Sequence, residues 1–583
     1  MSEFDLTKPQ SRSEKILGKM TKDYSGELDP PQSRVEAYLS KLSEGGGGTG
    51  GGSSDGDYVT ISLGLKGDFD YIQATNLFFI TKNNKINSLR DIGDISIDLY
   101  SNKYYFIHFN LNNSICIQLP KSNDVFYVYY NGFNSCYIVN QFIPDKDKIV
   151  EIEKTIVYGY EVDPTIETPS DKVTYLSKSA NKTYTPFKMD LTTGKPDYGS
   201  WKDAFFMPRS CMLRSDGTVA YYLDENDETK KEDGTPSDVG NPDFDGNAMV
   251  EFGRDGQLIW TKIEPTTPKT GNVMGYKVYV SNYKLDSDYH AWAFHDANGK
   301  LVPHFYMPKY NTSLINGKFR SLSGQQIVGK GEDDRGINAT QEIDYAKANG
   351  AGWFTETKAQ IDLVTILLTL MSRTTDSQTA YGWGYVRGGW TSTSMMNPGS
   401  ANTKGMFYGT SSGSDCVKVF GMEHWWGNQW RKYAGHMLIK GVQKVKLTYG
   451  TEDGSTVVGY NTTGEGYISL DGVTLVNSSG ETYWARGFIK DMYASDKGIL
   501  APTGTLNGST STDYCDQCET NNQIITYAYR GGSQLDDKSC GIYCVKLNTE
   551  PTIGYTNISA NITCTPAINE LDIEDKYVEP EPN

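Results

Sequence analysis

Nine cysteines and six histidines offer this chain its widest scope for chemistry. Cys515 and Cys518 form a C-x-x-C pair, with Cys540, Cys544 and Cys564 downstream. Two thiolates so spaced can share a tetrahedral zinc ion or bond to each other. The downstream spacing supplies no second standard pair, so buried or facultatively paired thiols are the expectation. His290 and His295 fall in one short stretch, but no carboxylate stands at a telling spacing from them. His108, His304, His424 and His436 are scattered, and all six read as structural in a chain rich in Tyr and Trp. There is no G-x-S-x-G, no H-E-x-x-H and no phosphate loop; Gly329–Asp334 (GKGEDD) lacks the Lys-Ser/Thr ending. The expectation is therefore a protein that is not an enzyme and needs no cofactor.

Two acidic clusters raise calcium. Asp224, Asn226, Asp227 and Glu228 lie together, and Asp243, Asp245, Gly246 and Asn247 follow close behind. Alternating oxygen ligands around a Gly turn can hold Ca²⁺, but neither cluster completes a twelve-residue loop ending in Glu. Solvated acidic loops are the expectation, with Asp224, Asp227, Asp243 and Asp245 as the calcium candidates.

The chain has 583 residues, enough for several domains. A net charge of −17 argues against a nucleic-acid backbone as partner. The longest apolar run, Ile361–Met371, is shorter than the roughly 18 residues of a membrane span and contains Asp362. No membrane insertion is expected, and the N-terminus carries no apolar signal-peptide core. Forty tyrosines and 60 glycines suit a β-rich, loop-rich protein. Tyrosine is a good strand residue and also a good recognition residue, with large contact area and few rotors.

Five segments must position these residues. Residues 1–44 hold the phrase P-Q-S-R-x-E twice, at Pro9–Glu14 and Pro31–Glu36. Ser11 with Glu14, and Ser33 with Glu36, match the capping-box spacing. Ile16, Leu17 and Met20 in one copy, and Tyr38, Leu39 and Leu42 in the other, give each short helix an apolar stripe. Helices of about ten residues do not persist alone in water, so each needs a surface to lie on. Residues 45–57 are a Gly/Ser linker, and 58–148 alternate as a small β-sandwich or barrel. Residues 149–567 form a lead-in and a large, irregular α+β region. Its one clear helix is expected near Thr357–Ser372, capped by Thr357 and Gln360, with Ile361, Val364, Leu367, Leu368 and Met371 on its apolar face. Residues 568–583 are an acidic tail. The fold class is thus multi-domain and mainly β with α+β.

Several phrases of the large region carry a resemblance: YGSWKDAFF, GNAMVEFG, KFRSLSGQ, VKVFGMEHWWGNQWRKYAG and YAYRGGSQLDDKSCGIYCVKLN. Together they resemble the C-type-lectin-like domains of bacteriophage fibre and tropism proteins, and more distantly the formylglycine-generating-enzyme superfamily. G-N-x-W at Gly427–Trp430 and R-G-G-S at Arg530–Ser533 are the most recognisable marks. Gly421 and Gly427 bracket Trp425, Trp426 and Trp430, which read as core, and Gly531–Gly532 read as a tight turn after a strand. The related oxidases place a cysteine pair just after R-G-G-S. Here QLDDKS fills the first position, so a two-cysteine metal site does not carry over to Cys540 and Cys544.

The repeated N-terminal phrase resembles the capsid-docking peptides of phage head fibres. The resemblances imply a virion structural protein, with residues 1–44 docked on the phage capsid or another virion protein. A lectin-like domain would then bind a host-surface glycan or protein. They imply a ligand face near the final strands, at Tyr514, Asn521, Asn522, Tyr527, Tyr529, Gln534, Asp536 and Asp537. A homo-oligomer is expected, as fibres often are, although no heptad run enforces one. A tail receptor-binding fibre, an oxidase and a host-encoded adhesin are the alternatives.

Overall fold

The expected central helix spans Lys358–Ser372. Gln360 Oε1 accepts a hydrogen bond from the Thr357 backbone N–H at 3.1 Å, satisfying a donor at the helix entry. The helix ends at Arg373, in the left-handed region with φ of 53°, where the N–H reaches back to the Thr369 carbonyl. One apolar face was expected, but every residue of this helix except Asp362 is buried. A helix covered all round is an interior element rather than a surface one. Thr365, Thr369 and Ser372 tolerate burial because their hydroxyls donate to carbonyls; Thr369 and Ser372 bond those of Thr365 and Leu368 at 2.8 Å.

The computed structural model describes residues 156–566 save 267–274, 283 and 331–335, together with the backbone of seven strands between Tyr58 and Glu151. Strands dominate the described residues, with four α-helices, so the chain is mainly β. The residues expected to dock on the capsid, Ser11, Glu14, Ile16, Leu17, Met20, Ser33, Glu36, Tyr38, Leu39 and Leu42, lie outside the described residues, as do residues 45–57 and 568–583. Contacts divide the chain into two units, one of Val157–Asn282 with Asp288–Asn569, and one of Met1–Ile156 with Tyr283–Ser287 and Glu570–Asn583. In the latter, Tyr58–Leu63, Ile115–Pro120 and Ile95–Ser96 form one sheet. Ile107–His108, Ser135–Asn140, Phe126–Tyr130 and Val150–Glu151 form another.

The larger unit holds three main sheets. The first has six strands in the order Val219–Tyr222, Arg209–Arg214, Gly246–Phe252, Phe305–Pro308, Ile562–Cys564 and Trp353–Thr355. The second is built on Trp430–Ile439, flanked by Val442–Val445 and Ile525–Arg530, and continues through Val545–Leu547 and Gln517–Thr520 to Arg486–Phe488. The third joins Trp260–Pro265, Tyr276–Ser281, Val157–Val162 and Val173–Tyr175. Residues near the end of the unit tie the first two together. Ile558–Ala560 runs parallel to Trp430–Lys432, and Ile562–Cys564 pairs antiparallel with Trp353–Thr355.

Trp425, Trp426 and Trp430 are buried, as their bracketing glycines suggested. Trp426 Nε1 donates to the Gly382 and Trp383 carbonyls, each at 3.1 Å. Gly531 and Gly532 have φ of 83° and 81°, and form the turn after the Ile525–Arg530 strand. Glu228, fully buried, lies between Lys309 and Lys418, the latter at 2.8 Å. Desolvation lowers Lys309 to about 8 despite Glu228 beside it. The helix Ala339–Lys347, not foreseen from the sequence, is capped reciprocally by Asn338 and Gln341.

Leu367 is fully buried at the centre of the Lys358–Ser372 helix. Leu367→Ala is expected to destabilise the protein by about 3 kcal/mol through lost burial and a cavity, as read by urea unfolding.

Candidate functional site

The eight residues expected to line a ligand face part into two sets. Tyr514, Tyr527, Tyr529 and Gln534 are buried and do not form an exposed face. The Tyr514 hydroxyl meets that of Tyr276 at 3.3 Å, and its ring stands edge-on to Tyr543. Tyr527 packs with Phe354, Ala434 and Met437, and Tyr529 packs edge-on against Trp430 at 5.2 Å. The strand carrying Tyr527 and Tyr529 lies inside its sheet, between Trp430–Ile439 and Val545–Leu547. Residues Thr526–Arg530 are buried on both faces, so alternation along the strand exposes none of them. Asn521, Asn522 and Asp536 are half-buried, and Asp537 is exposed.

Asp537 belongs to a surface that two loops build together. Gly388 N donates to the Gln534 carbonyl at 2.8 Å, and Asp537 N to the Val386 carbonyl at 3.3 Å. Arg387 Nε reaches Asp537 Oδ1 at 3.3 Å. Trp383 lies half-buried, with the cations of Arg387 and Lys538 each 4.7 Å from its ring. Trp390 projects from the same loop with 88% of its surface exposed.

The loop has a defined base. Asn428, from the G-N-x-W mark, accepts from Met396 N at 2.8 Å and donates to the Met396 carbonyl at 3.0 Å. Asn428 N donates to the Tyr385 carbonyl at 2.7 Å, so one side chain and its backbone pin both arms. Tyr385 Oη donates to the Ser394 carbonyl, and Ser394 Oγ to that of Gly389. Gly388 is required here, since a Cβ would lie 2.7 Å from Gln534 Cβ.

A line of charge runs from this surface across the sheet. Lys546 lies 3.8 Å from Asp536 and 3.3 Å from Glu519, with its cation 4.5 Å from the Trp430 ring centre. Glu519 also faces Arg486 at 3.8 Å and accepts from Trp484 Nε1 at 3.1 Å. Trp484 and Tyr483 are both exposed there, and Asn522 N donates to the Tyr483 carbonyl. The exposed rings Trp390, Tyr483 and Trp484, and the half-exposed Trp383, were missed from sequence. The readable signal was G-G-W-T-S-T-S around Trp390, a lone ring without apolar neighbours. Exposed rings among fixed charges offer apolar faces beside directed polar groups.

The thiols have a different character. Cys515, Cys518, Cys540 and Cys544 are free and buried. Burial pushes each thiol above its usual range, which keeps it protonated and unreactive. A small cleft is lined by Lys358, Asp362, Tyr433, His436, Arg530 and Cys544, among others. Its charged groups are paired within the fold, although Arg530 Nε has no hydrogen-bond partner. Lys358 pairs with Asp362 at 2.9 Å, and Arg530 with Glu356 at 2.9 Å. His436 Nδ1 meets the Tyr433 hydroxyl at 2.9 Å and Nε2 meets Gln443 Oε1 at 3.0 Å. A neutral ring satisfies both by accepting at Nδ1 and donating from Nε2. Burial and the nearby Lys358 lower His436 to about 3.

The carboxylates of Asp224, Asp227 and Asp245 are engaged within the fold. Asp224 accepts from the N–H groups of Asn226 and Asp227, and Asp227 from Thr229 while pairing with Lys230. Asp245 accepts from the Ser215 hydroxyl, and Asp243 N donates to Asn241. Among the described residues, no group of three or more His, Cys, Asp or Glu side chains is placed to hold a metal ion. No helix among them is long and apolar enough to cross a membrane.

Two measurements follow. Alkylation of the native protein at pH 8 is expected to leave Cys540 and Cys544 unmodified by peptide mapping, and urea is expected to expose both. His436, with a folded pKa below its unfolded one, takes up its proton in the unfolded chain first. Its contribution to stability is therefore present near pH 7 and lost as pH falls from about 6.5 towards 3. The drop in stability between pH 7 and 4.5 is expected to be about 2 kcal/mol smaller in His436→Gln, read by urea unfolding at both pH values. Compared with known proteins, the chain matches no family model and no curated sequence.

Proposed function

We propose that this chain is a noncovalent adhesion protein of a phage particle, whose large β-rich unit binds a host-surface glycan or protein. The carrying observation is Trp390, almost fully exposed on a loop pinned at its base by Asn428. An exposed Trp gains nothing for the fold, whereas a pre-positioned ring offers a ligand apolar area at little entropic cost. Arg387 and Lys538 on the Trp383 ring, with Asp537 paired to Arg387, supply the polar partners. The resemblance of the G-N-x-W and R-G-G-S segments to phage lectin-like domains supports the same reading.

Attachment to the particle belongs to residues 1–44. Two short capped helices in series followed by a Gly/Ser leash, as the sequence predicts, would hold by effective concentration where one would release. Their resemblance to head-fibre docking peptides favours the capsid over the tail.

The full-length protein is to be assayed on a glycan array and on bacterial cells. Trp390→Ala is expected to weaken binding at least tenfold while changing stability by less than about 0.5 kcal/mol. Undiminished binding would remove this face from consideration. In assembled particles, deletion of residues 1–44 is expected to abolish incorporation, and labelled N-termini are expected on the head. Labels on the tail would favour the receptor-binding fibre.

A further inference from the structure

Arg431 and Arg530 stand directly opposite each other on the antiparallel strands Trp430–Ile439 and Ile525–Arg530. Both are buried, at 1% and 4% exposure. Like charges in cross-strand register repel, and a guanidinium does not relieve this by releasing its proton. Arg530 has its counter-charge: Nη2 reaches Glu356 Oε1 at 2.9 Å and Nη1 the Trp425 carbonyl at 3.1 Å, and only its Nε is without an acceptor. Arg431 lacks an acceptor at both Nε and Nη2. Both guanidinium groups lie over the ring of Trp425, at 5.3 and 3.7 Å.

The charge count leaves a surplus. Two arginines face one carboxylate, Glu356, and the nearby Asp362 is spent on Lys358. His424, also buried and influenced by Arg431, adds no negative charge, and neither of its ring nitrogens has a partner. Burying one uncompensated cation costs several kcal/mol, more than an ordinary fold tolerates without a counter-charge. A water molecule accepts hydrogen bonds but does not neutralise.

We propose that Arg431 holds a small monovalent anion of halide size inside the fold. Its Nε–H and Nη2–H are the unspent donors, and the His424 ring is a further polar neighbour without a partner. Bulk is limited on one side by the Gly531–Gly532 turn, since Arg431 Nη2 lies 3.0 Å from where a Cβ on Gly531 would stand. The same turn launches the loop that carries Asp536 and Asp537, so the ion steadies one edge of the candidate face. The inference concerns the interior and stands whether or not that face binds a glycan.

The full-length protein is to be melted in sodium chloride and in sodium gluconate at equal ionic strength and pH. Chloride is expected to raise Tm by about 3 °C at concentrations well above its dissociation constant, with bromide acting likewise. Arg431→Met is expected to erase the difference between the two salts. Crystals of the wild-type protein grown in sodium bromide are expected to show an anomalous bromine peak within hydrogen-bonding reach of Arg431 Nε and Nη2. Equal melting in the two salts, or a position next to Arg431 without a bromine peak, would overturn the proposal. The wild-type measurements decide the matter even if Arg431→Met does not fold.

Discussion

The ion pair between Arg530 and Glu356 joins the parts that the rest of the large unit is arranged around. Arg530 ends a strand, places its guanidinium over the Trp425 ring and opens the Gly531–Gly532 turn. Glu356 immediately precedes the cap of the buried helix Lys358–Ser372. Strand, aromatic cluster, helix entry and turn are therefore fixed by one contact. A buried pair of this kind is dear in desolvation, so its worth lies in specifying one arrangement more than in net stability. Removing either partner would leave a charge stranded in the interior.

The same economy recurs wherever charge is buried. Glu228 answers both Lys309 and Lys418, and Glu342 answers Lys432 at 3.2 Å. These pairs lie between residues far apart in the chain, so they form only when the strands are in register. Buried asparagines extend such long-range ties to the surface loops. Asn428 is the clearest case: buried itself, it holds the arms of a loop that ends in an exposed tryptophan. The thiols Cys540 and Cys544 take no part in this arrangement, since burial keeps them protonated.

Local sequence made some of this legible. Thr357 and Gln360 announced the start of the central helix, because capping is a matter of three residues. Bracketing glycines marked Trp425, Trp426 and Trp430 as interior, and paired glycines marked the turn at Gly531. The exposure of the residues expected on the ligand face was legible only in part. Asp537 lies on an exposed loop, and Asn521, Asn522 and Asp536 are half-exposed, but Tyr514, Tyr527, Tyr529 and Gln534 are buried. Tyrosine serves strands and binding faces alike, so its type alone did not distinguish the two. The second covered face of the Ile525–Arg530 strand comes from segments distant in sequence, and periodicity carries no trace of them.

What the sequence by itself determined, then, is mainly-β character, the central capped helix, the buried tryptophans and the glycine turn. Each depends on residues within one or two turns of chain. Which tyrosines face inward, which loop meets which, and where charge is left unanswered were decided only by tertiary structure. Trp383 and Asp537 are 154 positions apart, yet they belong to one surface because Gly388 pairs with Gln534 and Arg387 with Asp537. Arg431 and Arg530 face each other only because two strands align in one register. Pairing and register are long-range choices, set by the whole core at once, and no short stretch of sequence contains them.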